Sequence, residues 1–144
     1  MKELFPVGCV IMASGLSRRF GSNKLLADFC GEPVLCRAFS ATDTPQLAAR
    51  IVVTRSAEVQ SLCRQHEVPV LLHSLPGRND TVRLGLSHLL EQRPDAVVCT
   101  AVSNVFGYIL PVEEMAALCR EQGVPFILDA AQSAGTLPVK LNAL

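Results

Sequence analysis

The stretch Val7-Gly8-Cys9-Val10-Ile11-Met12-Ala13, running directly into Ser14-Gly15-Leu16-Ser17-Arg18-Arg19-Phe20-Gly21-Ser22-Asn23-Lys24, decides how this chain folds. Its first part is a continuous apolar run, as a strand covered on both faces must be. Its second part is a polar loop bearing two glycines. A loop at the carboxyl end of a first parallel strand is where open α/β sheets take ligands. Gly15 and Gly21 let the backbone turn tightly and approach a ligand closely, and its N–H groups can converge on phosphate oxygens. Arg18, Arg19 and Lys24 bring positive charge to the same loop. Arginine offers a planar fork and lysine a mobile point charge, a pairing suited to a polyphosphate. The other reading of these residues is a glycine turn with solvated arginines. The spacing fits neither G-x-x-x-x-G-K-[ST] nor G-x-G-x-x-G.

Outward from this stretch, short β-rich runs alternate with helical patterns. Arg50–Thr54, Val68–His73, Asp95–Thr100 and Val124–Leu128 read as four further strands, with Pro69 placing the start of its run near an edge or a strand end. Between them, Pro33 opens a helix carrying Val34, Leu35, Ala38 and Phe39 at helical spacing. Ala57–His66 reads as a weaker helix. Asn79 or Asp80 caps another, whose Val82, Gly85, Leu86, Leu89 and Leu90 share a face. Pro111 opens a last one, with Val112, Met115, Ala116 and Cys119 on one face and Gly123 stopping it. Strand and helix in repetition predict right-handed βαβ units. The expected fold is thus a three-layer, Rossmann-like α/β domain over 1–144, with a mainly parallel sheet and helices on both faces.

Composition narrows the function classes. The 144 residues carry 13 basic and 13 acidic side chains, and the zero net charge argues against a nucleic-acid or polybasic membrane surface. With 49% apolar residues the chain can build a core. No apolar run approaches the roughly 18 to 20 residues of a membrane span, and Met1-Lys2-Glu3 is a poor start for a signal peptide. Cys9, Cys30, Cys36, Cys63, Cys99 and Cys119 include no C-x-x-C pair, and His66, His73 and His88 share no ligand spacing. We read the cysteines as reduced thiols of a cytoplasmic protein rather than a disulfide framework or zinc site.

The loop itself, Met12 to Lys24, resembles the signature of molybdenum cofactor cytidylyltransferases within the MobA-like NTP transferase group, a pattern close to L-A-A-G-x-S-x-R-x-G-x-x-K. Gly15, Ser17, Arg19, Gly21 and Lys24 match it, and the resemblance covers about residues 5 to 99. It implies a nucleotidyltransferase that binds a nucleoside triphosphate, CTP by preference, with Mg2+, and acts on a molybdopterin-type cofactor. By the same resemblance Ala13, Ser14, Gly15, Ser17, Arg18 and Gly21 hold the nucleotide, while Arg19 and Lys24 neutralise charge developing during transfer. The segment Leu75 to Gly85 resembles the family's second glycine segment, which gives Gly77, Asn79 and Thr81 a place near the base. A capped helix start is the other reading of that segment.

One element of the family pattern is missing. The family's fourth strand ends in an aspartate that helps bind magnesium, whereas Thr100-Ala101-Val102-Ser103-Asn104 carries no carboxylate. Magnesium is therefore expected to be weakly held and turnover impaired, and no protein metal site is expected. The later part of the chain, Ser103 to Val112 and then Phe126 to Gly135, instead resembles class V aminotransferases and cysteine desulfurases, over about residues 97 to 144. These are pyridoxal-phosphate enzymes. By that resemblance Asp129 pairs with the pyridinium nitrogen, and Asn104 and Gln132 contact the cofactor's phenolic oxygen. The family's Schiff-base lysine has no counterpart here, Lys140 lying too close after Asp129, so the site is vestigial. We read the chain as a composite, a nucleotidyltransferase-like half (1–99) and an aminotransferase-like segment (100–144), joined in a strand common to both, where a splice can preserve one continuous sheet. A non-catalytic α/β domain is the remaining reading, with self-association through an exposed sheet edge.

Overall fold

The computed structural model describes residues 7–15, 21–92, 94–102, 108–138 and 140. In chain order the elements are β1 (Val7–Ala13), a 3-10 turn (Lys24–Leu26), β2 (Asp28–Phe29), β3 (Glu32–Pro33), α1 (Val34–Ala41) and β4 (Leu47–Thr54). They continue with α2 (Ala57–Gln65), β5 (Val70–Leu72), α3 (Arg78–Leu90), β6 (Val97–Thr100), α4 (Val112–Glu121) and β7 (Phe126–Asp129). The five strands and four helices read from the sequence are all present. The chain divides into two compact units between Leu89 and Leu90.

In the first unit β4 is central, with β1 and β5 parallel on either side. Side chains of a strand alternate between faces, and β4 shows the consequence. Val52 joins Ala13 and the α1 and α2 residues Leu35, Cys36, Phe39, Val59 and Cys63 in one apolar cluster. Ile51 and Val53 face the opposite way and cluster with Leu89 of α3, flanked by Val10, Leu71 and Leu84. Helices therefore cover both faces of this parallel sheet, giving the three layers expected. Gly85 is what lets α3 come so close: a Cβ there would stand 2.5 Å from Val10 Cγ1 and 3.0 Å from Val53 Cγ2.

The starts of β5 and β7 differ from the sequence reading for a shared reason, while β4 begins earlier, at Leu47, and β6 later, at Val97. Helix α2 ends in a Schellman arrangement, with Glu67 N–H bonded to Arg64 O (3.2 Å) and Val68 N–H to Cys63 O (2.9 Å). Val68 is thus used by the helix and Pro69 has no N–H, so the β5 ladder starts at Val70. Helix α4 ends the same way, Gly123 N–H reaching Arg120 O (3.1 Å) and Val124 N–H reaching Cys119 O (2.8 Å), and β7 starts two residues later. Gly123 has φ +68° and Glu67 φ +55°, the left-handed conformation such an ending requires.

The second unit pairs β6 with β7 in parallel, Val97 opposite Phe126 and Thr100 opposite Asp129. Its buried residues include Ala101, Met115, Ala116 and Cys119. Among the described residues β6 and β7 bond to each other and form their own two-stranded sheet. The small antiparallel pair of β2 and β3, turning through Cys30 (φ +57°) and Gly31 (φ +88°), was not anticipated.

Candidate functional site

Ala13, Thr54 and Leu72 lie side by side in the register of the first sheet. The segments after them, Ser14-Gly15, Arg55-Ser56 and His73-Ser74, therefore leave the sheet together at its carboxyl edge. Thr54 is fully buried and fixes that edge. Its hydroxyl donates to Ala13 O (2.9 Å) and accepts from Ser56 N–H (3.1 Å). Ser14 continues the bracing through its hydroxyl, which donates to Val53 O at 3.1 Å.

Arg55 binds two loops at once. Its Nε and Nη2 donate to Ser14 O at 3.2 and 3.0 Å, and its Nη1 donates to Pro76 O at 3.2 Å. The opening of the glycine loop and the segment before α3 are thereby held by one guanidinium. The backbone N–H of His73 bonds to Thr54 O (3.0 Å). Its ring Nε2 lies 3.0 Å from Ser14 Oγ and 3.3 Å from Thr81 Oγ1. Burial pushes the His73 imidazole below its ordinary range, Arg55 adds to that shift, and Asp80 opposes it.

The residues expected from the sequence fall into groups. Ala13 is buried at the end of β1, Ser14 is partly buried and Gly15 is exposed. Gly15 has no positive φ and open space around its Cβ position, so the described structure does not itself demand glycine there. Gly21 does require it, with φ +78°. Asn23 then starts the 3-10 turn, its Oδ1 accepting from Leu25 N–H at 3.2 Å, and this places the exposed Lys24 at the turn's first position. Ser17, Arg18 and Arg19 lie outside the described residues, as does Asn104.

In the second segment Gly77 precedes α3, and its N–H bonds to Asp80 Oδ2 (2.9 Å), half of a capping box. The capped-helix reading therefore holds. Thr81, however, is buried and reaches His73, whereas Asn79 is exposed. The sheet thus brings Ser14 and Thr81 together around a histidine. Sequence reasoning missed both His73 and Arg55. The signal available was position: each is the first residue after a parallel strand.

In the second unit Thr100 ends β6, and its hydroxyl donates to Val102 O at 3.1 Å. Asp129 ends β7, is exposed, and accepts from Ala131 N–H through Oδ1 at 3.0 Å. Gln132 is exposed within the turn after β7, and its carbonyl accepts from Thr136 Oγ1 at 3.4 Å. Among the described residues no group of three or more His, Cys, Asp or Glu is placed to hold a metal ion. All six cysteines are free thiols. No described helix is long and apolar enough to cross a membrane.

Comparison with known proteins gives two likenesses. The family model described as MobA-like NTP transferase domain matches residues 9–102. The chain is also 34% identical over 100 residues to cysteine desulfurase IscS of Glaesserella parasuis, an alignment covering 65% of this chain and 24% of that protein. It is 37% identical over 67 residues to a probable mitochondrial cysteine desulfurase of Dictyostelium discoideum (46% of this chain, 15% of that one). Against the mitochondrial cysteine desulfurase of Arabidopsis thaliana it is 47% identical over 52 residues, covering 35% and 12%. The chain spans less than a quarter of the length of these three relatives.

Proposed function

This chain belongs to the MobA-like NTP transferase domain family, and from that premise we propose that it binds a nucleoside triphosphate at the loop following β1 and acts as a nucleotidyltransferase. The finer reading is CTP as the donor and a molybdopterin-type cofactor as the acceptor. One observation carries the placing of the nucleotide at this loop. The matching loop leaves the carboxyl edge of a three-stranded parallel sheet, where Thr54 and Arg55 hold its first residues in place.

In such a transfer an acceptor oxygen attacks the α-phosphorus, the bond to the bridging oxygen breaks, and pyrophosphate leaves. Negative charge grows on the phosphate oxygens. Arg19 and Lys24 are the catalytic residues of this proposal, set to stabilise that charge. Ala13, Ser14, Gly15, Ser17, Arg18 and Gly21 cradle the phosphates, and Gly77 and Asn79 frame the base, with Thr81 buried behind them against His73. Magnesium enters as part of the substrate, on the phosphates. In the first turn of α3, Asp80 already serves Gly77 N–H and Arg83 with its two oxygens. With no carboxylate at Thr100 to Val102, turnover is expected to be slower by about 10² to 10³ than with that charge-stabilising contact. The free thiols support a reducing, cytoplasmic setting.

The desulfurase likeness favours a second reading, in which the part from β6 onward is a piece of a pyridoxal-phosphate enzyme. The residues do not fit that cofactor. Asp129 and Gln132 are exposed, and the Asp129 carboxylate is bonded to its own turn rather than aimed from a protected strand end. Lys140, the lysine of this segment, is exposed as well. No step is derived through pyridoxal phosphate.

Thermal melting with CTP, ATP, GTP or UTP plus magnesium tests the proposal. A nucleotide at 100 times its Kd stabilises by about 2.7 kcal/mol, and Lys24→Ala or Arg19→Ala is expected to abolish the shift. Unchanged melting with all four nucleotides refutes it.

A further inference from the structure

His73 meets the glycine loop from one side and α3 from the other, and its hydrogen-bond pattern fixes its protonation. Ser14 has a single hydroxyl proton, and it goes to Val53 O at 3.1 Å. With that proton so placed, Ser14 Oγ faces His73 Nε2, 3.0 Å away, as an acceptor, which selects the tautomer protonated on Nε2. Thr81 Oγ1, buried at 3.3 Å from the same nitrogen, shares that proton. On the far side of the ring Nδ1 is buried and has no hydrogen-bond partner among the described residues. A second proton on Nδ1 would be a buried donor with nothing to accept it, which is costly. The charged groups acting on the ring are Arg55, from the end of β4, and Asp80, in the first turn of α3; the nearby guanidinium further disfavours a cation.

We propose that His73 is a positioning residue which, neutral and protonated on Nε2, fastens Ser14 at the start of the phosphate loop to Thr81 of α3. Protonating Nδ1 leaves Nε2–H in place but sets an unpaired charged donor in the interior, which drives the ring from its site, so the loop loosens in acid. The idea rests on the nucleotide-binding reading for its purpose, but the clamp itself is a property of the nucleotide-free protein. An alanine at position 14 has no atom to offer Nε2, and an aliphatic residue at 73 has no donor to offer Ser14. Glutamine at 73 keeps an N–H donor near the Nε2 position and cannot titrate.

The sign of the pH effect comes from the depressed folded-state value. The clamp is intact above the ordinary histidine pKa, near 6.5, and is lost as pH falls below it toward the folded-state value.

The test is nitrogen NMR of the histidine-labelled, nucleotide-free full chain, with MgCTP titrations at pH 7.5 and 5.5. A neutral His73 with its proton on Nε2 at pH 7.5, titrating below the ordinary histidine value together with the Ser14 and Gly15 amides, supports the clamp. An Nδ1-protonated tautomer, an imidazolium at pH 7.5, or loop amides indifferent to its titration overturns it. His73→Gln is expected to keep MgCTP affinity within about 3-fold and flatten its acid dependence, whereas His73→Leu weakens it about 10-fold at pH 7.5. A His73→Leu chain that melts cooperatively and binds MgCTP as the parent does overturns the clamp. A parent chain with the expected NMR signature that binds none of the four nucleotides refutes the nucleotide-binding reading and leaves the clamp standing.

Discussion

Replacing Gly85 by alanine sets two effects of opposite sign against each other. In a helix interior alanine is favoured over glycine by about 0.8–1.0 kcal/mol, so on local preference alone Gly85→Ala stabilises. Packing says the reverse. The added Cβ would meet Val10 Cγ1 at 2.5 Å, Val53 Cγ2 at 3.0 Å and Val10 Cγ2 at 3.1 Å. Valine is stiff at χ1 and neither partner can swing away. Val53 is, moreover, fully buried in the central strand. Forcing one extra carbon into such a site typically costs about 1–3 kcal/mol. The net expectation is a destabilisation of about 1 kcal/mol, and about 2 at most. Urea unfolding followed by circular dichroism measures it as a lower midpoint at unchanged slope. If Gly85→Ala instead raises the midpoint by the amount helix preference predicts, α3 does not lie against Val10 and Val53, and the second face of the sheet is wrongly described.

Asp80→Ala removes the carboxylate that satisfies Gly77 N–H, so it should lower stability by about 0.5–2 kcal/mol, with Asp80→Asn milder, in the same urea assay. Glu67 holds a left-handed conformation that glycine adopts without strain; Glu67→Gly should therefore raise the urea midpoint, by about 0.5–1 kcal/mol in stability. Burial pushes the Cys63 thiol up to about 11 and raises Cys36 and Cys119 as well, so in native protein at pH 8 these three should resist iodoacetamide. Exposed Cys30 should alkylate first, as peptide mass spectrometry will show, and early labelling at Cys63 would contradict its burial.

The parallel strands were legible because burial on both faces leaves an unbroken apolar run, and Val7–Ala13 is such a run. Their limits were less so. A helix ending that borrows Val68 or Val124 takes a residue that composition alone awards to the strand. The β2–β3 turn was hidden because Cys30, unlike asparagine, gives no hint of a left-handed conformation. At the site, the glycine loop announced itself as a contiguous motif. His73 did not, because its partners stand 59 and 8 positions away and only the fold brings them together. Searching histidines for ligand spacing passed it over. Arg55 belongs to no contiguous motif either: its guanidinium faces three loop carbonyls that only the fold brings to it.

The order of the first sheet also governs how this protein is made. Its central strand is not the first one synthesised. Ala13 waits for Thr54, 41 positions downstream, before their hydrogen bond can exist. At translation speeds of about 5–20 residues per second, that wait is roughly two to eight seconds. Within that interval α1 is made, and its Leu35, Cys36 and Phe39, which share a cluster with Ala13, are the earliest tertiary neighbours the strand can acquire.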